Sequence, residues 1–492
     1  MTSTDAVCTE KNWWWNHKEN IYDLHKPLLI QIFTVMRKTN LFAMFTVATA
    51  LTLGVAGCSK DDNGGPGDGV IEPGKPTAME VTIYAPRAPQ TYAADDANAT
   101  DAEIEMRTLN VLIYAETSLP GHFILEKSAA LTRGDFETAL NSPDTYVMKD
   151  ASKIATMTGN KKLYVVVNYP GTLPAVGDPL TNLPNLEYAL VAANDLSSNG
   201  LAMSSVEEKA VALVAETTPG TTPTANKVTI AVKRMVAKVT VQENILRTNG
   251  QIESHDGVLT NLSFALGHAN KSIYAFQKKV GTPIVVQDPN WTSYSAGNFF
   301  NISDYSSTST EYRAVDLAAT PTLSLKTAYV PENTAATYNV DGDNLTYISV
   351  RAQYQPKFFC DATGTSKGPN ASAAKTFWVV VHSDGSILYF DTVTEAGTYQ
   401  GATAGATMSA EYTDGFCYFR AYINKNGVAD GNILGSVAAK FDVLRNNYYK
   451  ATINSIKAPG KPTDVGTVTE ETTMICDIEI QPWALVADGY DL

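Results

Sequence analysis

From Thr77 onward, apolar and polar positions alternate with a period of two in short runs broken by Gly, Pro, Asn and Asp clusters, the pattern of strands that bury one face. Met79, Val81 and Ile83 alternate with Glu80, Thr82 and Tyr84. Similar runs predict strands at 109–115, 163–168, 228–241, 347–354, 376–382, 416–423 and 448–456. Helical spacing is confined to 135–140, 185–193 and 205–214. The expected fold is mainly β, built as two antiparallel β-sandwich domains with a few short helices.

Two places break the rhythm. Val228, Ile230 and Val232 sit on even numbers, whereas Ala237, Val239 and Val241 sit on odd ones. A one-residue slip flips the buried face of a strand, so this parity change predicts a bulge or a passage from one core to another, and the boundary is set at Arg234. The N-terminal domain is then 77–234 and the C-terminal domain 235–492. At the far end, Met474, Cys476, Ile478 and Ile480 alternate with Ile475, Asp477, Glu479 and Gln481, followed by Pro482 and Trp483. A strong strand lies at the terminus, behind a Gly/Pro/Thr-rich segment at 458–473 long enough to let it leave its domain. The plainer alternative is a final strand that completes its own sheet.

Ahead of the strands, Arg37 and Lys38 precede an apolar stretch at 41–55 that closes on Leu53-Gly54-Val55-Ala56-Gly57-Cys58. A basic head, an apolar run too short to span a bilayer and small residues before a cysteine read as a bacterial lipoprotein signal. Cleavage is expected between Gly57 and Cys58, with Cys58 carrying the lipid. Met36 is then the expected start, and 1–57 is excluded from the fold as leader, with the signal at 36–57. Residues 58–76, rich in Gly, Asp and Pro, are a flexible tether. Its opening Ser59-Lys60-Asp61-Asp62 also resembles the acidic signal that sends some lipoproteins to the outer face of the outer membrane.

Without the leader, totals of 37 Lys+Arg and 51 Asp+Glu fall to 32 and 47, a net charge near −15. No basic stripe exists to neutralise phosphates, so nucleic acid is excluded as a partner. Beyond Cys58, the odd set Cys360, Cys417 and Cys476 reads as small buried hydrophobes rather than a 360–417 bridge. His122, His255, His268 and His382 have neither metal nor catalytic spacing, and Gly65-x-Gly67-x-Gly69 opens no helix. Asp341-x-Asp343 starts like a calcium loop, but Leu345 fills the third ligand position. No nucleophile elbow or catalytic carboxylate pair stands out. The expectation is a protein that is not an enzyme, with no catalytic residues, no cofactor and no metal.

Four segments in order carry a family resemblance. They are Lys162 to Asn168 (KLYVVVN), Val232 to Val241 (VKRMVAKVTV), Leu444 to Ile453 (LRNNYYKATI) with its Arg-Asn-Asn turn, and Ile478 to Trp483 (IEIQPW). Together with the lipobox they resemble the fimbrillin-like lipoproteins of type V pili, in particular the major subunit of short (minor) fimbriae. Residues 255–345 match no motif of that family. The resemblance implies two tandem transthyretin-like sandwiches and a structural subunit of a bacterial fimbria or pilus that contributes to cell adhesion. It implies assembly by strand exchange, in which an Arg-specific protease removes the first strand and the C-terminal strand of the next copy fills the vacated groove. Here that places the maturation cut between Arg87 and Ala88, with Arg107 as competitor. The donor strand is then 474–492, with Met474, Cys476, Ile478, Ile480 and Trp483 as its apolar teeth. Returning these to a groove is worth on the order of 10 kcal/mol.

The implied partners are other copies of the chain in a head-to-tail polymer, the protease, accessory anchor and tip subunits, and the outer membrane through the precursor's lipid (palmitate). The implied location is the cell outer membrane as precursor and the fimbrium after cleavage. The alternatives are an anchor or tip subunit of the same fimbria, or a non-polymerising glycan-binding surface lipoprotein using aromatic loops such as Trp291 or Tyr294.

Overall fold

The computed structural model describes residues 70–71, 74–85, 101–140, 142–191, 196–254, 256–282, 284–292, 295–302, 312–317, 327–337, 344–370, 375–423, 441–464 and 474–482. These form mainly β structure, and each run expected from alternation contains a strand. Among the described residues, the three segments expected to be helical form no α-helix. They contain the strands Phe136–Ala139, Glu187–Ala189 and Lys209–Leu213. In each, pairing with a neighbouring strand wins over local helix formation. Lys209–Leu213 instead pairs along its whole length with Gly159–Val167 and buries Leu213. Among the described residues the α-helix is Val393–Ala402, with Thr392 as N-cap accepting from the Glu395 amide. Ala396 is its buried residue, so alternation of apolar positions gave no sign of it.

The first sheet runs in the order Phe123–Thr132, Thr108–Glu116, Gly159–Val167, Met203–Ser205, Lys227–Arg234, Pro76–Tyr84, Ser142–Met148, Phe136–Ala139. Its core takes Met79, Val81 and Ile83 from Pro76–Tyr84, Val111 and Ile113 from Thr108–Glu116, and Val228, Ile230 and Val232 from Lys227–Arg234. A second core lies between two further sheets. One contains Val236–Glu243, Asn447–Ile456 and Met474–Pro482; the other is centred on Gly257–Gly267 and Tyr347–Pro356. Val239 and Val241 from the first and Phe264, Ile348 and Val350 from the second meet there.

The parity change falls at Met235, where strand pairing breaks and the Met235 amide donates to the Ala202 carbonyl. Met235 and Val236 pack in the first core and Ala237 in the second. Around this crossing is a buried polar cluster. Glu103 takes the Lys238 ammonium at 3.2 Å and the Tyr329 hydroxyl at 2.8 Å, and its carbonyl accepts from Arg234 Nε at 3.1 Å. Arg234 Nη1 donates to Asn446 Oδ1 at 3.2 Å. Arg445 pairs with Glu332 at 3.1 Å and donates to the carbonyls of Tyr274 and Ala275. The Arg-Asn-Asn turn is thus a junction piece: Asn446 adopts φ 61° and its amide donates to the Val236 carbonyl. Asn168, at φ 49°, does the same for the first sheet by accepting from the amides of Arg107 and Thr108. Asn tolerates this left-handed backbone better than most residues.

Candidate functional site

The strand Pro76–Tyr84 is an interior strand, so its removal would open a slot flanked by pairing partners on both sides. On one side it runs parallel to Lys227–Arg234, with Glu80 opposite Lys227 and Tyr84 opposite Ala231. On the other it runs antiparallel, first to Ile154–Met157 and then to Ser142–Met148. Met79, Val81 and Ile83 are fully buried beneath it, and Ala85 nearly so. Glu80 lies on the opposite face, 2.8 Å from the Lys227 ammonium. Burial raises the Glu80 pKa, but the Lys227 and Thr222 hydrogen bonds and the Lys227 and Lys153 charges outweigh it and hold the carboxyl below its ordinary value.

The lower end of the strand is fastened by Asn226, which is completely buried. Its Nδ2 donates to Thr77 Oγ1 at 3.0 Å, to the Ala78 carbonyl at 2.9 Å and to the Val214 carbonyl at 2.9 Å. The Thr77 hydroxyl in turn donates to the Val214 carbonyl at 2.8 Å. Asn226 stands immediately before the parallel partner strand, so its side chain continues the ladder where backbone pairing has not yet begun. Sequence reasoning missed Asn226 and Thr77, since a lone Asn before a strand looks like any loop residue.

The terminal strand Met474–Pro482 lies at the edge of its own sheet, antiparallel to Asn447–Ile456, with Ile480 opposite Tyr449 and Ile478 opposite Ala451. Met474 is fully buried, whereas Cys476, Ile478 and Ile480 are half-buried against the second core. Asp477 and Glu479 point outward; Asp477 accepts from Asn454 Nδ2 at 2.7 Å, and Glu479 stands opposite Lys450. The strand therefore makes one ladder here, where Pro76–Tyr84 makes two. Gly57, Cys58, Arg87, Ala88 and Trp483 lie outside the described residues. Arg107, the competing cleavage position, is described. Its side chain is exposed beside Glu105, but its amide donates to Asn168 and its carbonyl accepts from the Arg133 amide.

Cys360 and Cys417 are buried free thiols, and Cys476 is a half-buried one. Among the described residues no group of three or more His, Cys, Asp or Glu side chains is arranged to hold a metal ion. No described helix is long and apolar enough to cross a membrane.

The two ends of this arrangement coincide with two family matches. Residues 77–250 match the model of the major fimbrial subunit protein (FimA), and residues 410–488 match that of the major fimbrial subunit protein type IV, fimbrillin, C-terminal. The chain is fimbrillin-like. Solved structures similar to this fimbrillin-like chain include a fimbrilin (fimA) from Porphyromonas gingivalis W83, 18% identical, with a TM-score of 0.46, covering 85% of this chain and 100% of that one. Another is the tip fimbrial protein Mfa3 from Porphyromonas gingivalis with C-terminal truncation, 14% identical, with a TM-score of 0.36, covering 82% of this chain and 100% of that one. No curated protein matches the chain. The two matched regions put the first strand and the terminal strand inside fimbrial subunit sequence, and fimbrial subunits are structural proteins of the cell surface.

Proposed function

We propose that this fimbrillin-like chain is a stalk subunit of a type V pilus, with its sandwich domains at 77–234 and 235–492. It is exported as a lipoprotein anchored in the outer membrane through Cys58. An Arg-specific protease then cuts between Arg87 and Ala88. The released groove takes the terminal strand of the next copy, and repetition of this step builds a head-to-tail fibre that contributes to adhesion, joined by accessory anchor and tip subunits.

The observation that carries this reading is the interior position of Pro76–Tyr84, whose described course ends at Ala85, two residues before Arg87. Losing it uncovers the places of Met79, Val81 and Ile83, each of which contributes about 1.5–3 kcal/mol when buried. A free slot of this kind is filled by any strand with the same alternation. The terminal strand has it and is held by one ladder only. Because donor and groove lie at different places on the subunit, the contact is heterologous and generates a filament when the rotation does not close. Arg107 is the poorer substrate, since both of its backbone groups are engaged.

The test is limited digestion of the full chain with an Arg-specific protease, read by N-terminal sequencing, denaturing gels and electron microscopy. The expected result is a new terminus at Ala88 with an SDS-resistant ladder and fibres. Deletion of 474–492 should leave a folded monomer that forms no ladder. A terminus elsewhere without fibres, or an undiminished ladder after the deletion, overturns the reading.

A further inference from the structure

The first strand and the terminal strand share more than alternation. Thr77-Ala78-Met79-Glu80-Val81-Thr82-Ile83-Tyr84-Ala85 lines up without a gap on Thr472-Thr473-Met474-Ile475-Cys476-Asp477-Ile478-Glu479-Ile480. Thr, Met and Ile recur at Thr77/Thr472, Met79/Met474 and Ile83/Ile478. Resting on the strand-donation reading above, we infer that Asn226 fixes the register of the incoming strand. The donor enters in the direction of Pro76–Tyr84, parallel to Lys227–Arg234, with Thr472 taking the place of Thr77, Met474 that of Met79 and Ile478 that of Ile83.

Apolar side chains alone do not set this register. Met474, Cys476, Ile478 and Ile480 repeat every two residues, so a slip of two still presents an apolar face to the core. Asn226 distinguishes these slips. When Pro76–Tyr84 leaves, its Nδ2 keeps the Val214 carbonyl but loses Thr77 Oγ1 and the Ala78 carbonyl, and the site is closed off from water again once another strand fills the slot. A buried donor without its acceptor is costly, so the favoured register is the one that returns both oxygens. Thr472 supplies the hydroxyl and Thr473 the carbonyl. A slip of two in either direction sets Met474, a weak thioether acceptor, or Glu470, a carboxylate entering a dry site, against Asn226.

The same alignment puts Ile475 where Glu80 was, and Lys227 loses its carboxylate. That loss is minor, because the Lys227 side chain is 54% exposed and an exposed ion pair contributes little. The buried amide therefore outweighs the surface charge. Cys476 takes the place of Val81, a small apolar residue for a small apolar residue.

Disulfide trapping reads the register directly. Thr82 stands opposite Val147 across an antiparallel pair, and Val147 is exposed. In the assigned register Asp477 of the neighbouring copy stands there, close enough for a disulfide. The full-length precursor is made with Cys476→Val, Val147→Cys and one of Ile475→Cys, Asp477→Cys or Glu479→Cys, matured with protease and oxidised. The expected result is a ladder that survives boiling without reductant and collapses with it, for Asp477→Cys alone. Trapping through Ile475→Cys or Glu479→Cys, or fibres that trap at none of the three, overturns the register while leaving strand donation standing. Failure of the unaltered chain to form fibres overturns both. A second variant tests the Asn226 contact from the donor side, where the groove is untouched. Thr472→Val should slow ladder formation about tenfold, the equivalent of one lost buried hydrogen bond, and Thr472→Ser should restore it. Equal rates for all three donors overturn the role of Asn226.

Discussion

Replacing Arg445 with Met should be among the most damaging single changes in the junction. The Arg445 side chain is fully buried, as is that of Glu332, 3.1 Å away. Its Nη1 and Nη2 also hold the carbonyls of Ala275 and Tyr274. Met fills much of the volume but leaves the Glu332 carboxylate with the Gln277 amide at 2.5 Å and the Arg445 backbone amide as its remaining hydrogen-bond donors. Breaking one side of a buried ion pair costs about 3–5 kcal/mol, because the surviving charge stays in a dry site. Removing both charges should recover much of that loss, so Arg445→Met with Glu332→Leu is expected to be more stable than Arg445→Met alone. Urea unfolding of the full chain, with hydrogen exchange over 272–276, measures both the cost and where it falls. A loss below about 1 kcal/mol for Arg445→Met, the size of an exposed pair, would refute the reasoning.

Gly267 stands opposite Tyr347, and a Cβ on it would sit 2.2 Å from the Tyr347 ring; Gly267→Ala should therefore cost about 1–3 kcal/mol, and a neutral result in thermal unfolding would contradict the close approach. Burial pushes the Asp288 carboxyl up to about 7, against hydrogen bonds from Thr334, Asn270 and Asn290 that lower it. A carboxyl raised above its unfolded value of about 3.9 adds most stability below that value and loses the contribution as pH climbs towards 7, by at most about 1.4 kcal/mol per unit. Asp288→Asn should flatten the stability curve between about pH 4 and 7, and an unchanged slope there counts against it. Burial raises the Cys417 thiol to about 12, so iodoacetamide at pH 8 should leave it unmodified in the native chain and label it after unfolding.

Strands were legible where alternation is clean, because alternation is a local consequence of burying one face; Gly257–Gly267, which buries Leu259, Leu262 and Phe264 but breaks the alternation at its bulge after Thr260, was not. Met79, Val81 and Ile83 announce their strand without reference to anything else. What alternation cannot carry is the partner. Val81 lies opposite Val228, and nothing local in either run points to the other. The segments misread as helices show the reverse limit. In Lys209–Leu213, apolar residues lie close enough together to suit either period, and the choice was made by the free edge of Gly159–Val167. Polar residues that close the structure were the least legible. Arg445, Asn446 and Asn168 stood out only through family resemblance, and Asn226 and Glu103 not at all. Each acts through acceptors or charges brought close by folding, such as Ala78 for Asn226 and Lys238 for Glu103.

On the proposed assembly route, the terminal strand has two addresses, and their difference explains why a precursor would wait. In the precursor the interior slot is filled by Pro76–Tyr84, tied on both sides and by Asn226 below. The terminal strand then has nowhere better to go than the edge beside Asn447–Ile456. There it covers Met474 while Ile475 stays exposed. Asp477 and Glu479 on its outward face discourage a second chain from pairing along that edge. On that route, once the slot opens, the same residues would gain a second ladder and take the buried places of Met79, Val81 and Ile83. The drive for exchange is therefore the difference between one neighbour and two. It would appear only when the first strand is gone, so on the proposed route the chain could be made and exported without polymerising early.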